Sequence, residues 1–216
     1  MSGIFGIIND NKVTNTLLQK LQPQLENGSY HSVGVATIIN GRIEWQQVED
    51  LHHLLPALSI GSRLGIVYTH GAWTSESDVD VCHACFYATA YLAVAHNGVI
   101  ENHSELREEL IELRYEFEGK TDSEVILRLI SQPKEAISVT IMRLRGSFAL
   151  ITLFAGEDEQ LIAARRGNRL VIGVGEENLY VSSDVDTLKL FSRQAIQLED
   201  GCPVLLSSIK TDVSTG

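Results

Sequence analysis

Residue 2 of this chain is serine, directly after Met1, and that position has chemistry open to it that no internal serine has. Removal of the initiator Met, usual before a residue this small, would leave a hydroxyl and a free α-amine on one carbon, a nucleophile beside its own base. The other reading of Ser2 is the start of an apolar strand, "GIFGII". Asn97-Gly98 is a second candidate. A side-chain amide and a backbone N–H adjacent in sequence can converge on one developing negative charge, each such donor worth about 2.7–4 kcal/mol. Glycine also lets a backbone approach a substrate closely. The same dipeptide is equally a hairpin-turn signal. Asp122 is the second residue of Thr121-Asp122-Ser123-Glu124, a capping-box pattern, where an acid commonly stays exposed and serves the helix dipole. Cys82 and Cys85 give a C-x-x-C spacing around His83. Structural zinc takes four ligands and no second pair stands at useful spacing, so these read as buried or loop cysteines and no metal is expected.

The elements that must position these residues are mostly strands. "SVGVATII" (32–39) and "RIEWQQV" (42–48) flank Asn40-Gly41, the strongest short hairpin signal. "SFALITLF" and "QLIAA" flank a turn at 156–159, and "RLVIGV" and "LYVSS" flank another at 175–178. Further strands are expected at 3–8, 64–69, 91–96 and near the C-terminus. Helical spacing marks Val13 to Leu25, and Leu106 to Phe117 behind a cap at Asn102 with Glu105 three residues on. The capping box opens a third helix to about Ile130; a fourth is expected over 135–144 and a short one after Ser183. Hairpins with few helices argue for antiparallel sheets covered by helices, an α+β class. Runs such as "GIFGII", "LGIVY" and "YLAVA" are apolar on both faces, which suggests two sheets facing each other with helices outside. No linker or repeat interrupts 1–216, so one domain is expected.

Bulk composition narrows the function classes. The formal charge is −11 over 216 residues, which repels a nucleic-acid backbone or an anionic membrane on average. Arg165, Arg166 and Arg169 form a tight basic cluster that reads as a solvated loop between strands. The first apolar run has no basic leader and is too short for a signal peptide or a membrane span. Three cysteines are a sparse, odd set, as expected in a reducing cytoplasm.

Set in order, "SGIFGI" at the start, "YHSVGVA" at 30–36, "AHNGVIENHSELREEL" at 95–110, "KTDSEVI" at 120–126, "LRGSFAL" at 144–150 and "LIAARRGNRLVIGVGEENLYVSSD" at 161–184 resemble the glutaminase domain of class II glutamine amidotransferases. The likeness is greatest to the glutaminase half of glutamine–fructose-6-phosphate amidotransferase, and "HNGVIENH" followed by "TDSEVI" is its most specific part. The resemblance implies the four-layer αββα sandwich of N-terminal-nucleophile hydrolases. It implies a nucleophile at Ser2 with its α-amine as base, an oxyanion hole at Asn97 and Gly98, and Asp122 as binder of the substrate ammonium. No cofactor is implied.

Some positions depart from that family pattern. The family's nucleophile is cysteine, and a hydroxyl is far less ionised at neutral pH than a thiol. Where the family reads His-Thr-Arg-Trp-Ala-Thr, with the Arg clamping the glutamine α-carboxylate, this chain has Tyr68-Thr69-His70-Gly71-Ala72-Trp73-Thr74. His70 stands at the Arg place and cannot offer a bidentate fork; Trp73 and Thr74 are displaced equivalents that would shape the pocket. Gly28 and His31 occupy the places of a family Arg and Asp. Two expectations therefore stand together. One is an amidohydrolase releasing ammonia from glutamine or a similar small amide, impaired or redirected by these changes. The other is a catalytically silent amidotransferase-like domain that binds a small molecule or a partner, either a separate synthase subunit or a second copy.

Overall fold

The computed structural model describes residues 3–9, 30–48, 62–71, 84–132, 137–156, 159–175 and 178–206. Among the described residues, twelve strands run in the order β1 (Gly3–Asn9), β2 (Tyr30–Ile39), β3 (Arg42–Val48), β4 (Leu64–Gly71), β5 (Ala84–Ala88), β6 (Leu92–Ile100), β7 (Gly146–Phe154), β8 (Gln160–Arg166), β9 (Val171–Val174), β10 (Asn178–Ser182), β11 (Ala195–Gln197) and β12 (Val204–Leu206). Between and after them lie α1 (His103–Glu112), α2 (Asp122–Ile130), α3 (Ile137–Met142) and α4 (Val185–Lys189). The strands form a seven-stranded sheet, β11-β9-β10-β1-β4-β2-β3, and a five-stranded sheet, β12-β8-β7-β6-β5. Every pairing is antiparallel.

Side-chain alternation explains the layering. Ile4 and Ile8 of β1 join Ala93 and Ala95 of β6 and Ala149, Ile151 and Leu153 of β7 in one buried cluster between the sheets. The intervening Phe5 and Ile7 face the opposite way and pack with Val33, Val35, Val67 and Leu188 of α4. Val94, Phe148 and Leu150 face outward under Leu106 and Leu110 of α1 and Val125, Ile126 and Leu129 of α2. Strands apolar on both faces thus feed two cores each, the period-2 geometry of a sandwich with helical covers. This is the αββα architecture expected.

Gly6 marks how closely the sheets approach. A Cβ there would lie 3.0 Å from Leu161 Cδ1 and 3.3 Å from Ile151 Cγ2 on the facing sheet. Asn40 and Gly41 both take positive φ, 53° and 72°, as a two-residue hairpin loop between β2 and β3 requires.

The structure corrects the sequence reading at several points. Asn97-Gly98 makes no turn: it lies inside β6, with Asn97 opposite Ala149 and Gly98 opposite Phe148 of β7. Pairing on a neighbouring strand overrides the local preference of the dipeptide. Of the two cysteines read as buried or in a loop, Cys85 lies in β5, whose residues pair with β6. Asn102 precedes α1 but caps nothing with its side chain. Its Nδ2 donates to Arg143 O at 3.0 Å and its Oδ1 accepts from Arg145 N at 2.8 Å, so it ties α1 to the chain entering β7. The Arg165 cluster is not a solvated loop: Arg165 donates to Leu198 O at 2.7 Å and to Asn168 O at 2.9 Å. The helix expected over Val13 to Leu25 lies outside the described residues, as do Cys82 and His83. Among the described residues no helix is long and apolar enough to cross a membrane.

Candidate active site

The end of β6 and the start of α2 meet around one buried imidazole. Along β6, Ala93 and Ala95 face the other sheet, so alternation puts Asn97 on that inner face, beside its cross-strand partner Ala149. His96 points the other way, toward α2, and is 0% exposed. Its Nδ1 lies 2.8 Å from Ser123 Oγ. Its Nε2 lies 3.2 Å from Gly98 O and 3.3 Å from Asp122 Oδ2. A carbonyl and a carboxylate oxygen only accept, so Nε2 must carry the hydrogen and it serves both. One N–H therefore joins the Asn97-Gly98 segment to the first residue of α2.

Asp122 reaches this place because Thr121 caps the helix. The Glu124 N–H donates to Thr121 Oγ1 at 3.4 Å, as the capping pattern requires. Glu124 does not return to Thr121, however; its carboxylate accepts from Glu118 N at 2.7 Å and Gly119 N at 2.8 Å, bracing the turn before the helix. Asp122 is not the exposed dipole partner of the alternative reading. Its side chain is 12% exposed, with Oδ2 accepting from Ile100 N at 3.4 Å. Burial pushes its pKa up, but the His96 hydrogen bond, the His96 charge, the Ile100 N–H and the His103 charge together hold it below its ordinary value. Its Oδ1 is buried and accepts no hydrogen bond among the described residues. A buried carboxylate oxygen with no donor is an open acceptor for one.

Gly98 has φ +120°, and no other residue fits there. A Cβ would lie 2.1 Å from Ser147 O, 2.5 Å from Asn168 Nδ2 and 2.9 Å from Phe148 Cα. On the other sheet, the residue following Ser2 is fixed from both sides. Gly3 N donates to Thr69 Oγ1 at 3.0 Å and Ile4 N donates to Ser183 Oγ at 3.0 Å. The Gly3 N–H belongs to the peptide that joins it to Ser2, so Thr69 anchors that peptide.

Of the residues expected in the site, the structure brings Gly98 and Asp122 together at His96 Nε2, while Asn97, one residue along β6, faces the other side of the strand beside Ala149. Ser2, Trp73 and Thr74 lie outside the described residues, and His70 is placed only as a backbone position in β4, opposite Ser32 of β2. Sequence reasoning missed His96, Ser123, Thr69 and Asn168. His96 could have been noticed as a titratable residue closing an apolar strand run; the others carry no local signal.

Residues 72–190 match a family model described as a glutamine amidotransferase domain. That match covers more than half of the chain. The chain belongs to this family. Among curated relatives of this glutamine amidotransferase domain, the glutamine–fructose-6-phosphate aminotransferase (isomerizing) of Bartonella henselae is 40% identical over 212 residues, covering 93% of this chain and 34% of the relative. The protein of the same name from Pyrococcus horikoshii is 33% identical, covering 93% of this chain and 35% of the relative. The chain thus spans about a third of the length of the curated relatives it matches. In fold it is similar to the glutamine phosphoribosylpyrophosphate amidotransferase of B. subtilis, with a TM-score of 0.74 at 18% identity over 94% of this chain and 46% of that one.

Proposed function

We propose that this amidotransferase domain is a glutaminase-type amidohydrolase whose nucleophile is the Ser2 hydroxyl, and that the changes at Ser2 and His70 slow it or redirect it. The observation that carries the proposal is the coupling of Asp122 to the Asn97-Gly98 segment through one His96 N–H. An ionised, buried carboxylate with an unpartnered oxygen suits the α-ammonium of an amino-acid substrate. The Asn97 amide and the Gly98 N–H, on the strand end that His96 ties to Asp122, suit the oxyanion formed at the other end of the same substrate.

In this scheme the α-amine of trimmed Ser2 takes the proton of Oγ as Oγ bonds to the side-chain amide carbon. The carbonyl oxygen gains the negative charge and is held by the Asn97 amide and the Gly98 N–H. Collapse breaks the C–N bond, the amine returns its proton, and ammonia leaves, giving a γ-glutamyl ester on Ser2. Water, deprotonated by the same amine, cleaves the ester to glutamate. By the resemblance, His70, Trp73 and Thr74 are assigned to the substrate pocket, with His70 a weaker holder of an α-carboxylate than arginine. We take residues 1–216 as one such unit, working with a synthase, on a separate chain or attached, that consumes the ammonia.

The second reading, a silent binding domain, is favoured by the loss of both the thiol and the guanidinium. Intact mass and ammonia release from glutamine, measured for wild type and Ser2→Cys, separate the two. Trimmed wild type that releases ammonia, faster in Ser2→Cys and with KM raised at least tenfold by Asp122→Asn, is the expected result. No ammonia from trimmed Ser2→Cys, with glutamine or with other small amides, would leave only the silent reading.

A further inference from the structure

The Asn97–Gly98 peptide is gripped by a residue that the scheme above does not use. Asn168 lies just beyond β8, in the connection to β9. Its Nδ2 donates to Asn97 O at 3.0 Å and its Oδ1 accepts from Ser147 Oγ at 2.7 Å. Chemistry fixes the amide orientation, because a main-chain carbonyl cannot donate and must meet the NH₂ end. The Asn168 backbone is itself tied down. Its N–H donates to Arg166 O at 2.8 Å, and its carbonyl accepts from Arg165 Nη1 at 2.9 Å. Arg165 is held in turn by Leu198 O, at 2.7 Å, and by Asp200, at 3.3 Å.

This grip decides where the Gly98 N–H points. In a trans peptide the C=O and the following N–H lie on opposite sides of the bond, and no described peptide is cis. By holding Asn97 O on one side, Asn168 turns the Gly98 N–H to the other. A hydrogen bond onto the carbonyl also polarises the peptide and strengthens its N–H as a donor. The approach depends on glycine, since a Cβ at Gly98 would lie 2.5 Å from Asn168 Nδ2. The next peptide is held as well, because Gly98 O accepts from His96 Nε2 at 3.2 Å. Neither plane flanking Gly98 can rotate without breaking a side-chain hydrogen bond.

We infer that Asn168 is the positioning residue of the oxyanion pair, setting the direction of the Gly98 N–H through the Asn97 carbonyl. The inference rests on the assignment of Asn97 and Gly98 under the proposed function. Asn168→Asp tests it with little change of shape: the acceptor facing Ser147 stays, and the donor facing Asn97 becomes an acceptor. Ser147→Ala is the counterpart, removing the other bond and leaving the donor. Both are made in the full chain, in wild type and in Ser2→Cys. The readouts are ammonia release from glutamine and the NMR resonances of the Asn97 carbonyl carbon and the Gly98 amide.

Asn168→Asp is expected to lower kcat about ten- to a hundredfold with KM changed less than about twofold, while Ser147→Ala stays within about threefold of the parent. The Asn97 and Gly98 resonances are expected to move in Asn168→Asp. If Asn168→Asp does not fold, Asn168→Ser, too short to reach Asn97 O, is read in the same way. Equal losses in the two variants, or a change in KM alone, would reduce Asn168 to a structural part and overturn the inference. So would an unmoved Asn97 carbonyl resonance. No ammonia from either parent would defeat the functional reading alone, and the resonances would still decide whether Asn168 orients the peptide.

Discussion

Replacing Gly98 with alanine adds one methyl group where the sandwich has no room for it. The new Cβ would lie 2.1 Å from Ser147 O, 2.5 Å from Asn168 Nδ2 and 2.9 Å from Phe148 Cα, at a backbone φ of +120°. A strained non-glycine backbone costs about 1–3 kcal/mol. Overpacking against neighbours that cannot yield costs about 1–3 kcal/mol. Displacing Asn168 from Asn97 O forfeits one hydrogen bond of about 1 kcal/mol. Together these come to roughly 3–7 kcal/mol, a large part of the ~5–15 kcal/mol that holds a domain folded. Gly41 supplies the control, with φ +72° and nothing within 4 Å of an added Cβ. Gly41→Ala therefore pays only for the left-handed backbone, about 1–2 kcal/mol. Urea unfolding followed by circular dichroism reads the difference. At a slope of about 2–3 kcal/mol/M, the Gly98→Ala midpoint is expected to fall by about 2 M and that of Gly41→Ala by about 0.5 M. Equal shifts for the two variants would refute the claim that close contacts of the β6 backbone, and not φ alone, demand glycine at position 98.

Asp122 predicts a pH dependence. Its folded pKa lies below its ordinary value, so the unfolded chain binds more protons near pH 4. The stability this carboxylate confers is present above about pH 4 and is lost as pH falls through the lowered folded value. Wild type should therefore lead Asp122→Asn in urea midpoint at pH 7 and lose that lead toward pH 3; a lead that widens on acidification contradicts the sign. Glu124 is 0% exposed and holds the Glu118 and Gly119 N–H groups and Arg128. Glu124→Ala orphans these donors and should cost about 3–5 kcal/mol in a denaturant titration, whereas a loss under about 1 kcal/mol would mean that water replaces the carboxylate.

Much of the fold is written in short-range pattern. Alternation in "GIFGIIN" and "FALITLF" fixed which side chains of β1 and β7 face the other sheet and which face a helix. Asn40-Gly41 fixed a turn, because its residues tolerate positive φ and the strands on either side supply alternating faces. Thr121 fixed the start of α2, since its hydroxyl can serve only a nearby orphan N–H. These are preferences of φ, ψ and side-chain direction acting over a few residues, and a sequence carries them directly. The same local reasoning misjudged Asn97-Gly98 as a possible turn and Asn102 as a cap. In both cases a distant partner outbid the local one: β7 for the first, the chain entering β7 for the second.

The candidate site belongs almost wholly to that second class. Asp122 meets His96 from 26 residues away in the chain, Thr69 holds Gly3 across a separation of 66, and Asn168 holds Asn97 across 71. A hydrogen bond between such residues leaves no period or spacing in the sequence, because its geometry is set by how the sheets and α2 pack. The chain alone named the candidates, Asn97, Gly98 and Asp122 among them, and the helix that Asp122 opens. Only tertiary packing decided that one buried imidazole would tie a helix N-terminus to a strand end, with the donors facing their acceptors.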